Sequence, residues 1–453
     1  MIFSVYRSYR HNGYIHSAGS IEARKAIATR YTLPKNPLTE NDIIIASGCS
    51  GALDLAITVL LNPNDILLVP RPAFPLYATL CESKGILIRQ YNLLPNKEWE
   101  IDLTHLESII NDEININQHR IGAILVNNPS NPCGSVYSQE HLINILHIAE
   151  KYKIPIIADE IYGGLVFPSS GKEFYPMANL TTTVPILSCG GIAKEFLVPG
   201  WRVGWVCIYD PLSVFQDIRK GLFALSQLIL GANSLIISAL PAILTPIPDS
   251  DDAISLENFH LDTIEQLEDN AKLCVEHIRK IPGLDVIIPS GAMYLMFSIN
   301  FTQFKDITND IEFAQKLLSE ENVFVLPGTA FNIPGYCRIV FCAPSDKLED
   351  AFTRMNEFCI RHSQPEFLTN TFSSFSLIDK DNSKLSTIEP RTMDDPVNNN
   401  RNYNNYQSTT PVDDVKNITP PTMLFPATVQ QALNNGNIYE ASKELLQNEA
   451  REH

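Results

Sequence analysis

Short apolar runs alternate with segments of helical period along the first half of the chain. The runs "DIIIASG" (42–48), "DILLVP" (65–70), "ILIRQYNL" (86–93), "IGAILVNNP" (121–129), "IPIIADE" (154–160) and "PILSCGG" (185–191) are rich in aliphatic and β-branched residues. Between them, "SGALDLAITVLL" (50–61), "PLYATLCESKG" (75–85) and "QEHLINILHIAEKYK" (139–153) place apolar residues on one helical face. A strand that is apolar on both sides needs cover on both sides, and intervening helices supply it. The pattern predicts an α/β domain with a mainly parallel sheet. In such sheets ligands bind in the loops at the carboxyl ends of the strands.

After about residue 250 the pattern changes. A long helical period, "LDTIEQLEDNAKLCVEHIRKI" (261–281), is followed by short strands in "LDVIIPSGAMYLMFSI" and "CRIVFCAP" and by a helix at 310–322. This reads as a smaller α+β domain over 251–363, behind a large domain over 1–250. The run "LILGANSLIISALPAIL" (228–244) approaches membrane length, but Gly231, Asn233 and Pro241 interrupt it. It is expected to be a buried helix of the large domain. Residues 364–453 are rich in Asn, Ser, Thr, Asp and Pro, with "NNNRNYNNY" at 398–406. Such a stretch buries too little apolar surface to offset its ordering entropy, so it reads as a disordered tail, with a terminal helix conceivable at 427–450.

Charge narrows the classes of partner. The chain has 453 residues and a formal net charge of −17, and its Lys and Arg are dispersed. Nucleic acid and anionic membranes call for a basic surface, so neither is an expected partner. The nine cysteines form no CxxC pair and no zinc-type Cys/His spacing, so no metal site is expected and the thiols read as reduced. "MIFSVYRSYR" is too charged for a signal peptide. The expected compartment is the cytoplasm, with the mitochondrion as the alternative.

Candidate chemistry sits where strands end. "SGCSGA" (47–52) closes a strand and opens a helix, and its small residues suit either an anion cradle around Cys49 and Ser50 or a tight turn. "NNPSNPCG" (127–134) presents Asn131, as a ligand amide or simply a turn residue. "ADEIYGG" (158–164) puts Asp159 at the end of a buried strand, where an unpartnered carboxylate is costly, with Tyr162 three positions on. "SCGGIAKEFLVPGWRVGW" (188–205) holds Lys194 between small and apolar residues, with Arg202 after it. A desolvated lysine can form a Schiff base, whereas a surface lysine needs no such setting. Arg338 lies among apolar residues in "CRIVFCAP". In chain order these are a phosphate cradle, an aromatic (Phe74), an amide, a carboxylate, a lysine and two arginines. Pyridoxal phosphate holding an amino acid requires that set.

The same segments carry a family resemblance. "SGCSGA", "LLVPRPAFPLY", "YNLLPNKEWEIDL", "VNNPSNPCGSVYS", "ADEIYGG", "ILSCGGIAKEFLVPGWRVGW" and "PSGAMYLM" occur in the order and spacing of the fold-type I pyridoxal-phosphate aminotransferases. The chain resembles that family from "NGY" (12–14) to "FCIRH" (358–362), above all its members acting on aromatic amino acids. The resemblance implies the aspartate aminotransferase-like fold and a homodimer with shared active sites. It implies ping-pong transfer of the amino group of L-tyrosine to 2-oxoglutarate. It also implies roles. Lys194 would carry the cofactor and then move protons, and Asp159 would keep the pyridine nitrogen protonated. Tyr162 and Asn131 would bond the ring 3-oxygen, and Phe74 would stack on the ring. Cys49, Ser50 and Arg202 would bind the phosphate, joined by Tyr14 from a neighbouring subunit. Arg338, with Asn131, would hold the substrate carboxylate.

Some positions depart from the family pattern. Only eleven residues precede "NGY", so an N-terminal arm and first strand are expected to be missing from the large domain. Glu195 follows the lysine where a basic or neutral residue is expected. Two other functions stay open: a carbon–sulfur lyase or alanine-type aminotransferase on the same scaffold, and a catalytically impaired protein acting through its tail.

Overall fold

The computed structural model describes residues 11–365. The tail expected to be disordered lies outside the described residues, apart from its first two. Two sheets organise the chain. The larger contains β1 (Ile43–Ala46), β2 (Ile66–Arg71), β3 (Leu87–Leu94), β4 (Glu100–Ile101), β5 (Ile121–Asn127), β6 (Ile156–Asp159), β7 (Ile186–Gly191) and β8 (Gly204–Tyr209). Their spatial order is β1-β8-β7-β6-β5-β2-β3-β4. Strands β3, β2, β5, β6 and β7 pair in parallel, while β8 runs antiparallel between β7 and β1. The smaller sheet holds β9 (Leu284–Val286), β10 (Tyr294–Ile299), β11 (Leu326–Pro327) and β12 (Tyr336–Val340), all antiparallel, in the order β11-β12-β10-β9.

The strand alternation decides what faces what. Leu67, Leu125, Ile157 and Leu187 pack on one side of the large sheet, with the Gly48–Leu60 helix. Their neighbours Leu68, Ile124, Ile156 and Ile186 pack on the other side, with Trp205 and Tyr209. Successive side chains of a strand point to opposite faces, so every buried strand feeds two cores. Asp159 continues the Ile157 face, and Glu160 continues the face of Ala158.

A 28-residue helix, Asp251–Ile278, links the two sheets. It begins ten residues before the apolar period suggests. Ser250 caps it by accepting from the Ala253 amide, and Asp251 and Asp252 favour its first turn electrostatically. Leu267, Ala271, Cys274 and Ile278 enter the core under the small sheet.

The apolar run at 228–244 is not one buried helix. The Gln216–Ile229 helix ends there, and two short helices follow, Ser234–Ile237 and Leu240–Leu244. Gly231 takes a φ of +78°, Asn233 caps the next helix through its side chain, and Pro241 enters the first turn of the last. These three residues override the apolar count. Leu228 is 78% exposed. Among the described residues no helix is long and apolar enough to cross a membrane.

Candidate active site

The carboxyl ends of β1, β2, β5, β6 and β7 meet at one edge of the large sheet. Because β8 runs antiparallel, its amino end, with Arg202 just before it, arrives at the same edge. The loops at this edge carry nearly all the residues singled out from the sequence.

Strand β1 runs through Ser47 into the Gly48–Leu60 helix, and Gly48 has a φ of +69°. Gly204 of β8 lies against this turn. A Cβ on it would stand 2.3 Å from the Gly48 carbonyl carbon and 2.5 Å from the Cys49 nitrogen. Two glycines therefore let β8 and the helix start approach each other. The free N–H groups of a helix start attract an anion. Arg202 donates to the Pro199 carbonyl at 3.2 Å and to the Ser47 carbonyl at 3.5 Å. Its guanidinium is thereby tied to the same turn.

Asp159, at the end of β6, is 3% exposed. The Tyr77 hydroxyl donates to its Oδ2 at 2.6 Å, the Cys49 thiol approaches Oδ1 at 3.7 Å, and the Ile161 amide donates at 3.5 Å. Burial outweighs these donors and pushes its pKa up to about 6. Burial also raises the Cys49 thiol well above its usual range, so Cys49 is neutral at pH 7.

Around Asp159, the side chains of Cys49, Leu53, Phe74, Tyr77, Asn131, Ile161 and Tyr162 enclose a narrow slot. Phe74 and Tyr77 meet edge to face, with ring centroids 5.8 Å apart. Lys194, in the loop after β7, holds its Nζ 5.9 Å from the centre of the Tyr162 ring. The Tyr162 hydroxyl shares a 2.9 Å hydrogen bond with that of Tyr294, on β10.

Arg338 of β12 is 1% exposed. It donates to the Asn131 Oδ1 at 2.8 Å. Its guanidinium carbon lies 4.5 Å from the centre of the Tyr294 ring and 4.9 Å from that of Phe331, distances at which a cation is attracted to both. Asn131 is held in turn by Asn127, whose Oδ1 accepts from the Asn131 amide at 2.7 Å. The Asn131 Nδ2 is buried and has no hydrogen-bond partner among the described residues.

Lys194, Asp159, Tyr162, Asn131, Phe74, Cys49, Ser50, Arg202 and Arg338 thus share one edge of the fold. Tyr14 does not join them within the chain, and is 95% exposed. Tyr77, Tyr294, Phe331 and Asn127 are additional members that the sequence did not single out. Glu195 faces away from the slot, ion-paired to Arg30.

The family model for aminotransferases of class I and II matches residues 7–355. The tyrosine aminotransferase of Dictyostelium discoideum is 48% identical over 79% of this chain and 83% of its own length. That of Mus musculus is 46% identical over 78% of this chain and 75% of its own. The crystal structure of tyrosine aminotransferase from Leishmania infantum superposes with a TM-score of 0.73 at 36% identity, covering 80% of this chain and 86% of that one. The chain belongs to the class I and II aminotransferase family, and its fold is that of the pyridoxal-phosphate transferases.

Proposed function

We propose that the protein is a pyridoxal-phosphate-dependent transaminase that transfers the amino group of L-tyrosine, and of other aromatic amino acids, to 2-oxoglutarate. The products are 4-hydroxyphenylpyruvate and glutamate. One observation carries this reading: a buried carboxylate lines a slot whose walls Tyr162 and Asn131 are approached by a lysine and a buried arginine, in a chain 46–48% identical to tyrosine aminotransferases.

The residues fit the cofactor. The slot is narrow and walled by the Phe74 ring, and it ends on a carboxylate whose raised pKa a cationic ring nitrogen would bring back down. The orphaned Asn131 Nδ2 at its border is a donor in want of an acceptor. The Gly48 turn and Arg202 suit a phosphate. Pyridoxal phosphate, when bound, supplies an electron sink for the pair left on substrate Cα.

The chain's own residues do the rest. Asp159 would hold the ring nitrogen protonated, and Tyr77 fixes the carboxylate's direction. Tyr162 and Asn131 would donate to the ring 3-oxygen. Phe74 would cover the ring and keep water from it. The backbone amides of Cys49 and Ser50, the Ser50 hydroxyl and Arg202 neutralise the phosphate. Arg338 grips the substrate α-carboxylate, and the Tyr294 and Phe331 rings hold its guanidinium. Lys194 anchors the cofactor and then takes the Cα proton on Nζ, a type of step typically worth ~10²–10⁴-fold. The two half-reactions share one site, so the kinetics are ping-pong. The exposed Tyr14 is assigned to the phosphate site of a second subunit, in a homodimer of the kind typical of this family.

Single half-reactions test this. Holoenzyme mixed with tyrosine alone is expected to lose its visible cofactor band and release one 4-hydroxyphenylpyruvate per site. An unchanged spectrum with tyrosine, together with pyruvate release from cysteine conjugates, would replace this reading with carbon–sulfur lysis.

A further inference from the structure

Two neighbouring pairs in the sequence divide their side chains between two spaces. Asp159 turns to the slot described above, while Glu160 turns to the opposite face of β6. Lys194 lies by the Tyr162 ring, while Glu195 turns away to Arg30. Glu160 and Glu195 line the same second space, a cavity of about 370 Å³ behind the loops that carry Asp159, Tyr162 and Lys194.

The walls of this cavity are aromatic. Tyr31, Phe174, Trp205 and Tyr209 border it. Glycines form part of its lining and keep it open. A Cβ on Gly163 would stand 2.7 Å from the Phe174 ring, and one on Gly190 would stand 3.0 Å from the Trp205 Nε1. Its charged groups leave an excess of acid. Arg30 is taken by Glu195, with His260 3.9 Å from the same carboxylate. Glu160 faces the cavity and, among the described residues, has no cation among its hydrogen-bonding partners. It accepts from the Ser188 hydroxyl at 2.5 Å and the Met177 amide at 2.9 Å. An ionised carboxylate has about four lone-pair sites, so two remain for a ligand.

We propose that this cavity is a second binding site, separate from the cofactor slot, for a planar aromatic monocation whose charged group pairs with Glu160 and whose ring lies among Phe174, Trp205 and Tyr209. Flat rings suit aromatic walls, and the cation supplies the charge the cavity lacks. An amidinium offers two parallel N–H donors, the geometry that carboxylates bind best.

The site has a pH signature of its own. Burial raises Glu160 to about 7, with the Asp159 charge adding to the effect and Ser188 and the Met177 amide opposing it. The other titratable groups beside it, Cys207, Tyr209 and Tyr31, have their own pKa values raised and stay neutral, while Arg30 and Glu195 are paired with each other. The ligand needs the ionised form of Glu160, so affinity falls as the pH drops below about 7.

The test is calorimetric titration of benzamidine into the holoenzyme at pH 8. Benzamidine has no α-carboxylate for Arg338. The expected result is saturable binding of one molecule per subunit that is unchanged by Arg338→Lys. Glu160→Gln is expected to weaken it at least tenfold. Gly163→Ala, which sets a methyl group against the Phe174 ring at the cavity wall without touching Glu160, is expected to weaken it comparably, and this variant serves if Glu160→Gln does not fold. No saturable heat up to ~10 mM, or binding lost with Arg338→Lys and kept in both cavity variants, would overturn the proposal. Tyrosine half-reactions in the same variants report on the catalytic reading separately.

Discussion

Arg338 and Asn131 lie 207 positions apart in the chain, yet the guanidinium of one donates to the amide oxygen of the other at 2.8 Å. The contact joins the small sheet to the carboxyl edge of the large one. It also fixes the arginine's direction, since Asn131 is itself held by Asn127. A fork held this way can take a carboxylate on two N–H groups, which a lysine cannot reproduce. Arg338→Lys is therefore expected to raise KM for both amino and keto acids about 10–100-fold, as loss of a charge-assisted bond worth ~1.5–3 kcal/mol requires. The turnover number should fall much less. Steady-state kinetics with both substrates varied will separate the two effects.

Asp159 makes the cofactor-free protein pH-sensitive in a defined direction. Burial raises its pKa to about 6, above the 3.8 usual for an aspartate. Between those values the native state binds more protons than the unfolded one, so stability falls as pH rises through this window. Asp159→Asn removes the charge and keeps an oxygen for Tyr77. Thermal melts of the cofactor-free variant should match the parent near pH 4 and exceed it near pH 8. On the role proposed for Asp159 toward the ring nitrogen, the same variant should lose at least ~10²-fold in transamination.

Gly204 is a packing requirement of the turn between β1 and the Gly48–Leu60 helix. A methyl group there would stand 2.3 Å from the backbone of Gly48. The helix start must move to admit it, and overpacking of this kind costs typically ~1–3 kcal/mol. Gly204→Ala is expected to weaken cofactor binding at least tenfold, measured by dialysis and reconstitution, with a smaller loss of thermal stability.

Tyr77 acts through Asp159. Tyr77→Phe removes the 2.6 Å donor that opposes the rise in the carboxyl pKa. The pH midpoint of the cofactor's absorbance should shift in this variant, whereas a merely structural effect would lower stability and leave that midpoint in place.

Much of this site was legible in the sequence because its residues stand at the ends of apolar runs. Asp159 closes "IPIIAD", Asn131 lies in the loop after "IGAILV", and Lys194 follows "PILSCGG". A polar residue in that position has few reasons to exist besides a ligand. Tyr77 and Tyr294 were not legible as site residues. Both read as ordinary core aromatics, and their roles appear only when strand order brings them to Asp159 and to Tyr162. The apolar run at 228–244 was misjudged for a related reason. Its composition argued for burial, but the backbone is set by Gly231, Asn233 and Pro241. Glu195 stood out as an unusual neighbour for the lysine, and its partner Arg30, 165 positions earlier, could come only from the fold.

The account depends above all on Lys194 being the residue joined to the cofactor. Borohydride reduction of the holoenzyme, followed by peptide mapping, tests it most directly. The expected result is a single pyridoxyl tag on Lys194, absent from Lys194→Ala. A tag on another lysine, or none with cofactor in excess, would contradict the account.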